Sequence, residues 1–223
     1  MKQRPDSIYI GAILACVGGY MDGYSYLLRD GAFATMQTGN MIYTVLSLTG
    51  YLPDGAMKYL LSIVAFSVGV MVAVQLQRHM GTDSQWQQRI LLLEIGLLLV
   101  VGCIPLGRWN LLANVIISFV AAMQTQSFKT MGNHAPYATT MCSGNLRSFS
   151  EQCCTAYKDP QARVRCLQYL LIITCFVSGV FFATCVTPVG GASSVWFGAL
   201  GLCVPCWYIN PTWINRKEAR HEH

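Results

Sequence analysis

Six stretches of this chain are apolar almost throughout and close to the length at which an α-helix crosses a lipid bilayer. A hydrocarbon layer about 30 Å thick is spanned by about twenty helical residues. Residues 8–28, 59–77, 90–106, 111–129, 167–187 and 193–208 meet or approach that length. Lipid offers no partner to a backbone N–H or C=O, so these segments are predicted to be helices, whose hydrogen bonds close internally. Of the 223 residues, 53% are hydrophobic and 11% charged, whereas a soluble domain carries about 25% charged residues. The expectation is an all-α polytopic membrane protein. Residues 1–223 form one integral membrane unit, with 209–223 as a cytoplasmic tail.

Two weaker apolar segments, 33–48 and 137–153, hold a repeated polar signature. It reads Met36-Gln37-Thr38-Gly39-Asn40 first and Met141-Cys142-Ser143-Gly144-Asn145 later. Superposing Asn40 on Asn145 also superposes 8–28 on 111–129, 59–77 on 167–187 and 90–106 on 193–208. The chain therefore reads as a duplication, with residues 8–106 as the first repeat and 111–208 as the second. The weak segments are short or polar enough to be re-entrant half-helices or tilted spans. If they return to their starting side, six spans plus two short helical segments result and the halves are inverted. If they cross, there are eight spans and the halves are parallel.

Charge placement weighs the two. With the N-terminus inside, six spans put twelve Lys and Arg inside against Arg29, Lys58 and Arg108 outside. Eight spans put ten inside and four outside and leave Arg147 within a span. Both arrangements place the two termini in the cytoplasm, and six spans fit slightly better. Trp86, Trp109, Trp207 and Trp213 fall at or just beyond segment ends, where an indole anchors a protein at the headgroups.

Polar residues inside apolar segments are the candidates for chemistry. Asp22 lies fourteen residues after Ile8, about 21 Å along a helix, and an unpaired carboxylate at such depth costs several kcal/mol. It either caps a neighbouring element or pairs with Arg29, or it binds a proton, an ion or a solute. Gly18, Gly19 and Gly23 beside it remove side-chain bulk, so that another helix, water or a ligand can approach. In the signatures, Gly39 and Gly144 permit unusual backbone angles, while Asn40 and Asn145 both donate and accept. These groups can satisfy the ends of two interrupted helices, face a solute near the midplane, or join helices together. Gln124, in a polar run with Thr125, Gln126 and Ser127, is a candidate neighbour of Asp22. Glu94, four residues after Ile90, is expected to reach the interface or pair with Arg89. Arg147 is expected at the interface or near an anionic solute.

Other chemistries find little support. Ten cysteines sit mostly in apolar surroundings and read as small hydrophobes. Cys203 and Cys206 lack the second pair that a thiolate metal site needs, and His79 and His134 have no spaced partners. Phosphate-loop, dinucleotide-loop, zinc-protease and nucleophile-elbow motifs are absent. Neither an enzyme, a cofactor, a metal nor a nucleic-acid partner is therefore expected. The N-terminal apolar run has no convincing cleavage site and reads as the first membrane helix.

At Gly18, Gly19 and Asp22, followed by Thr38, Gly39 and Asn40, the chain resembles the YoaK family (domain of unknown function 1275), bacterial integral membrane proteins. The later Met123-Gln124 pair and the Gly144-Asn145 pair extend the resemblance from about residue 9 to about residue 207. Two departures stand out: Thr125-Gln126 replaces an Asn-Ala continuation, and Ser143 replaces a threonine. The resemblance implies a multi-pass protein of the bacterial cell membrane with a transporter-like architecture. The functional expectation is a secondary transporter or permease for an unidentified small solute or ion. Asp22, Asn40, Gln124 and Asn145 would lie along a polar path between the repeats, with Gly18, Gly19, Gly39 and Gly144 as helix-break or close-packing positions. The alternative is a membrane scaffold or assembly protein that binds the bilayer together with its own copies or another membrane protein.

Overall fold

A computed structural model describes residues 7–53, 55–80, 84–131, 135–136 and 142–209. Eight α-helices are present among them: α1 (Ile8–Leu28), α2 (Gln37–Leu48), α3 (Met57–Met80), α4 (Ser84–Cys103), α5 (Asn110–Ser127), α6 (Cys142–Thr155), α7 (Pro160–Gly190) and α8 (Trp196–Tyr208). A 3₁₀ turn, Gly191–Val195, joins the last two. Between α5 and α6, β1 (Thr130–Met131) and β2 (Ala135–Pro136) pair antiparallel, with Thr130 opposite Pro136. The fold is otherwise all-helical. The tail beyond residue 209 and Trp213 lie outside the described residues.

Local chemistry sets several helix limits. α7 starts where the Asp159 carboxylate accepts the Gln161 N–H at 2.8 Å and Pro160 takes the first helical position. α1 ends before Asp30 and Gly31, whose φ values of 65° and 77° cannot continue a helix. α2 and α6 have 12 and 14 residues, so they rise only about 18 Å and 21 Å.

Three stretches are long and apolar enough to cross a membrane, Met57–Met80, Gln85–Cys103 and Pro160–Tyr208, the last containing both α7 and α8. Their outer faces expose residues such as Val64, Met71, Leu92, Leu171 and Leu200, as lipid contact requires. α1 and α5 are the inner helices, most of their length being buried. Protein, not lipid, surrounds most of their surface, and both bury small and polar residues such as Gly19, Asp22, Asn114 and Gln124. Glycine, asparagine, serine and glutamine are accepted where a neighbouring helix supplies packing and hydrogen bonds.

The contacts give each helix a direction. α1 and α5 run antiparallel, since Asn114 Nδ2 donates to the Arg29 carbonyl and Gln124 Nε2 to the Leu14 carbonyl. α7 lies parallel to α1, with Gly19 against Phe176 and Gly23 against Val180 and Ala183. α3 lies parallel to α5, with Gly69 against Phe119 and Ala122, and Ala73 clustered with Met123 further along. α8 is antiparallel to α1, with Gly198 near Tyr20 and Gly201 against Val17. α4 is antiparallel to α5, with Gln87 bound to the Ser127 carbonyl near one end and Arg29 joining Val101 to Asn110 at the other. α1, α4 and α7 therefore point one way and α3, α5 and α8 the other. α2 packs on α3, and α6 on α7.

The α1–α7 seam depends on absent side chains. A Cβ at Gly179 would stand 1.9 Å from the Cys16 carbonyl oxygen, and one at Gly19 would stand 2.0 Å from that of Phe176. Backbone atoms cannot rotate out of the way. Gly179→Ala is expected to lower the melting temperature of the detergent-solubilised protein, with a destabilisation of at least about 1–3 kcal/mol. Gly96→Ala, where nothing lies within 4 Å, should leave it unchanged. Equal melting of all three proteins would contradict the seam.

One sequence expectation is revised. Trp86 is no interfacial anchor, being buried with Ala73, Ile90 and Met123, whereas Trp109 and Trp207 are exposed. The cysteines are mostly separate, but Cys153 and Cys166 bring their sulfurs to 2.9 Å across the α6–α7 contact.

Candidate functional site

Asp22 is buried in α1 and organises the segment that follows that helix. It accepts the Thr35 N–H on Oδ1 at 2.8 Å and the Thr35 hydroxyl on Oδ2. The backbone N–H groups of Ala34 and Met36 face the same carboxylate. Six residues separate Asp22 from Leu28, about 9 Å of helical rise, so the unwound stretch dips back beside α1 before α2 begins. The first N–H groups of a helix have no partner within it. Asp22 supplies an anionic cap from a different helix, where the positive end of the α2 dipole favours it.

α2 then returns towards the end of α1. Lys58, the second residue of α3, donates to the Asp30 carbonyl. The rings of Tyr26, Phe33, Tyr43 and Tyr59 form a continuous series with centroid separations of 5.0, 5.9 and 5.3 Å. The end of α1, the middle of α2 and the start of α3 thus share one level.

Asn40 holds the dip in shape. Its Oδ1 accepts the Phe33 N–H at 2.9 Å, and its Nδ2 donates to the Phe33 carbonyl at 2.8 Å and to Gln37 Oε1 at 3.0 Å. Gln37 Nε2 in turn reaches the Ala34 carbonyl at 2.9 Å. Both donors of the Asn40 amide are engaged. Gly39 does not break the helix; it lies in the first turn of α2, where a Cβ would meet the Phe33 ring at 3.0 Å.

The second signature repeats this register. Asn145 is the fourth residue of α6, as Asn40 is of α2. Each is the buried residue of its helix among those described, at 3% and 0% exposure. Met141 and the stretch 137–141 before α6 lie outside the described residues. Cys142, the first residue of α6, is an electrostatic neighbour of Asp22, so α6 also begins close to that carboxylate. Gly144 lies within the first turn of α6, with nothing described within 4 Å of a Cβ there. Arg147 bonds Glu151 at 2.8 Å on an exposed face.

Gln124 and Asp22 are not brought together. Gln124 Nε2 meets α1 at Leu14, 3.0 Å away and eight residues, about 12 Å, from Asp22. Its Oε1 is buried without a hydrogen-bond partner among the described residues, as are Asn114 Oδ1, Ser118 Oγ and Ser127 Oγ. These four atoms lie along about 20 Å of α5. Buried polar atoms of this kind are where water or a polar solute finds a hydrogen bond.

Arg29 does not pair with Asp22. Its guanidinium is fully buried and bonds the Tyr24 hydroxyl at 2.8 and 3.0 Å, Asn110 Oδ1 at 3.1 Å, and the carbonyls of Val101, Ile104 and Pro105 at 3.2, 2.9 and 3.1 Å. It caps the carbonyl end of α4 from α1, the end where a helix dipole favours a cation.

Glu94 is the residue that sequence reasoning misplaced. α4 begins at Ser84 and not near residue 90, so Glu94 lies ten residues in, about 15 Å along the helix and beyond interfacial reach. It is 0% exposed, and neither carboxylate oxygen has a partner among the described residues. The available signal was a lone acid recurring with Leu91, Leu98 and Val101 on one helical face.

A family model described as "Protein of unknown function (DUF1275)" matches residues 10–207. No curated protein and no solved structure matches the chain.

Proposed function

The chain belongs to the DUF1275 family of membrane proteins, and on that premise we propose that it is a secondary transporter or permease moving a small polar solute between two inverted halves. Non-helical backbone at membrane depth is tolerated where protein buries it or where it lines a water-filled cavity. The unwound stretch held on Asp22 is the observation that carries this reading.

Helix directions support six spans. α3 starts level with the end of α1 and runs opposite to it, which a fully crossing α2 would forbid. α7 likewise runs opposite to α5, so α6 returns to its starting side. The halves are then inverted, residues 8–106 against 111–208, with both termini in the cytoplasm. The partnerships exchange between halves: α1 with α7 matches α5 with α3, and α2 on α3 matches α6 on α7. Asp22 and Asn40 shape the path by holding the first re-entrant segment, and Asn145 has the equivalent position in the second. Gln124, with Asn114 and Ser118, offers the atoms that a solute or water would meet. The reading invokes no catalysis and no cofactor.

The test is flux through purified protein in proteoliposomes, screened with sugars, amino acids, organic acids and inorganic ions. A saturable flux is expected for at least one class, reduced several-fold in Gln124→Ala at equal incorporation. Absence of flux for every class, with recovery of one stoichiometric membrane partner, would replace transport by scaffolding.

A further inference from the structure

Glu94 has a setting unlike that of any other acid in the described chain. Leu91 one turn before it, and Leu98 and Val101 one and two turns after, are all fully buried. They belong to an apolar cluster with Leu14 and Val17 of α1, Ile117 of α5 and Leu202 of α8. The carboxyl therefore lies on the innermost face of α4, near the middle of the helix, with both oxygens unpartnered among the described residues.

The ionisable groups on the packed elements are accounted for. α5 and the Gly191–Val195 turn contribute none. On α1, the Tyr20 and Tyr24 hydroxyls donate to the Ser194 and Ala192 carbonyls, Asp22 holds Thr35, and Arg29 caps α4. The remaining ionisable side chains of α1 are Tyr9, Cys16 and Tyr26, of which Tyr26 stacks on Phe33. α8 brings Cys203, Cys206 and Tyr208, and α3 brings Lys58 and Tyr59 at one end and Arg78 and His79 at the other. Arg89 and Cys103 of α4 itself are five and nine residues away.

We propose that Glu94 is the proton-binding site of the transport path, its carboxylate taking a proton from water on one side of the membrane and returning it to water on the other. This rests on the transport reading and names its coupling ion. A metal cation needs several oxygen ligands around it, and no group of three His, Cys, Asp or Glu side chains among the described residues could hold one. A proton needs a single oxygen. A carboxyl among leucines and valines fits a proton and no larger cation, and an ionisable group inside a membrane helix is kept for such work.

The full chain in proteoliposomes is treated with dicyclohexylcarbodiimide, an apolar reagent that adds to protonated carboxyls and rearranges to a stable N-acylurea. Peptide mass spectrometry is expected to find the adduct on Glu94, its yield falling as the buffer is made alkaline. Proton entry driven by a potassium diffusion potential, read by a trapped pH-sensitive dye, is expected to be lost in Glu94→Gln and partly restored in Glu94→Asp. Labelling of Glu94 that ignores pH, or Glu94→Gln vesicles that admit protons as fast as the wild type, overturns the proposal. Solute flux in the wild type together with pH-independent labelling would sink the proposal and leave transport standing, whereas no flux of solute or protons would remove both. The labelling arm uses only the wild-type chain, so a folding defect in a variant does not obscure it.

Discussion

Asp22→Ala protein is expected to reach the membrane at a small fraction of wild-type abundance, and the surviving fraction to melt far below the wild type in detergent. The substitution removes the acceptor for the Thr35 N–H and hydroxyl and uncovers the Ala34 and Met36 amides. Each buried donor left without a partner costs about 1–3 kcal/mol, so together they rival the total of about 5–15 kcal/mol that keeps a typical domain folded. Thr35→Val removes only the hydroxyl contribution and should cost about 1.5–3 kcal/mol. Asp22→Asn retains one acceptor oxygen but presents N–H groups to other donors, and should fall between the two. Thermal melting followed by fluorescence-detected size-exclusion chromatography ranks the four proteins. Wild-type melting of Asp22→Ala would mean that the dip before α2 is held by something else.

The second large effect is expected at Arg29. Its six hydrogen bonds draw the end of α4, the start of α5 and α1 together through one guanidinium. Asn110 extends the network, accepting from Arg29 and donating to Asp30 Oδ1 at 2.8 Å. Hydrogen bonds to a charged group are worth about 1.5–3 kcal/mol each, and Arg29→Ala also leaves a cavity among carbonyls that must stay unpaired. Arg29→Ala is therefore expected to abolish folded protein. Arg29→Lys keeps the charge but loses the planar fork that meets several carbonyls at once, and should fold with a clearly depressed melting temperature. Equal stability of the lysine variant would show that charge alone, not the fork, holds α4.

The contacts around Asp22 explain why a polar signature between apolar segments need not be a binding site. Asp22, Asn40 and Gln37 satisfy the backbone that the unwound stretch 33–36 leaves without helical partners. Their chemistry is that of a helix cap supplied partly from a neighbouring helix. Gln124 differs, because its amide nitrogen is engaged and its oxygen has no partner among the described residues.

Much of this arrangement was legible in the residues. Apolar length located every long helix, because lipid forces the backbone bonds of a crossing segment to close within it, although α4 and α7 start six and seven residues before the apolar segments 90–106 and 167–187. The matched signatures placed Asn40 and Asn145 in the same register, and both prove to be the fourth residue of a short helix. Sequence periodicity could not say which polar groups meet. Whether Asp22 faces Arg29, Gln124 or Thr35 depends on the path of a loop and the direction of a neighbouring helix, both set by packing across more than a hundred residues. The first six residues of α4, Ser84 to Arg89, likewise read as a connection in the sequence because all but Trp86 are polar, although packing against α5 continues the helix through them. That extension moves Glu94 from the interface to the centre. Hydrophobic length is a property each segment carries alone, whereas the pairing of a buried charge belongs to the elements that surround it.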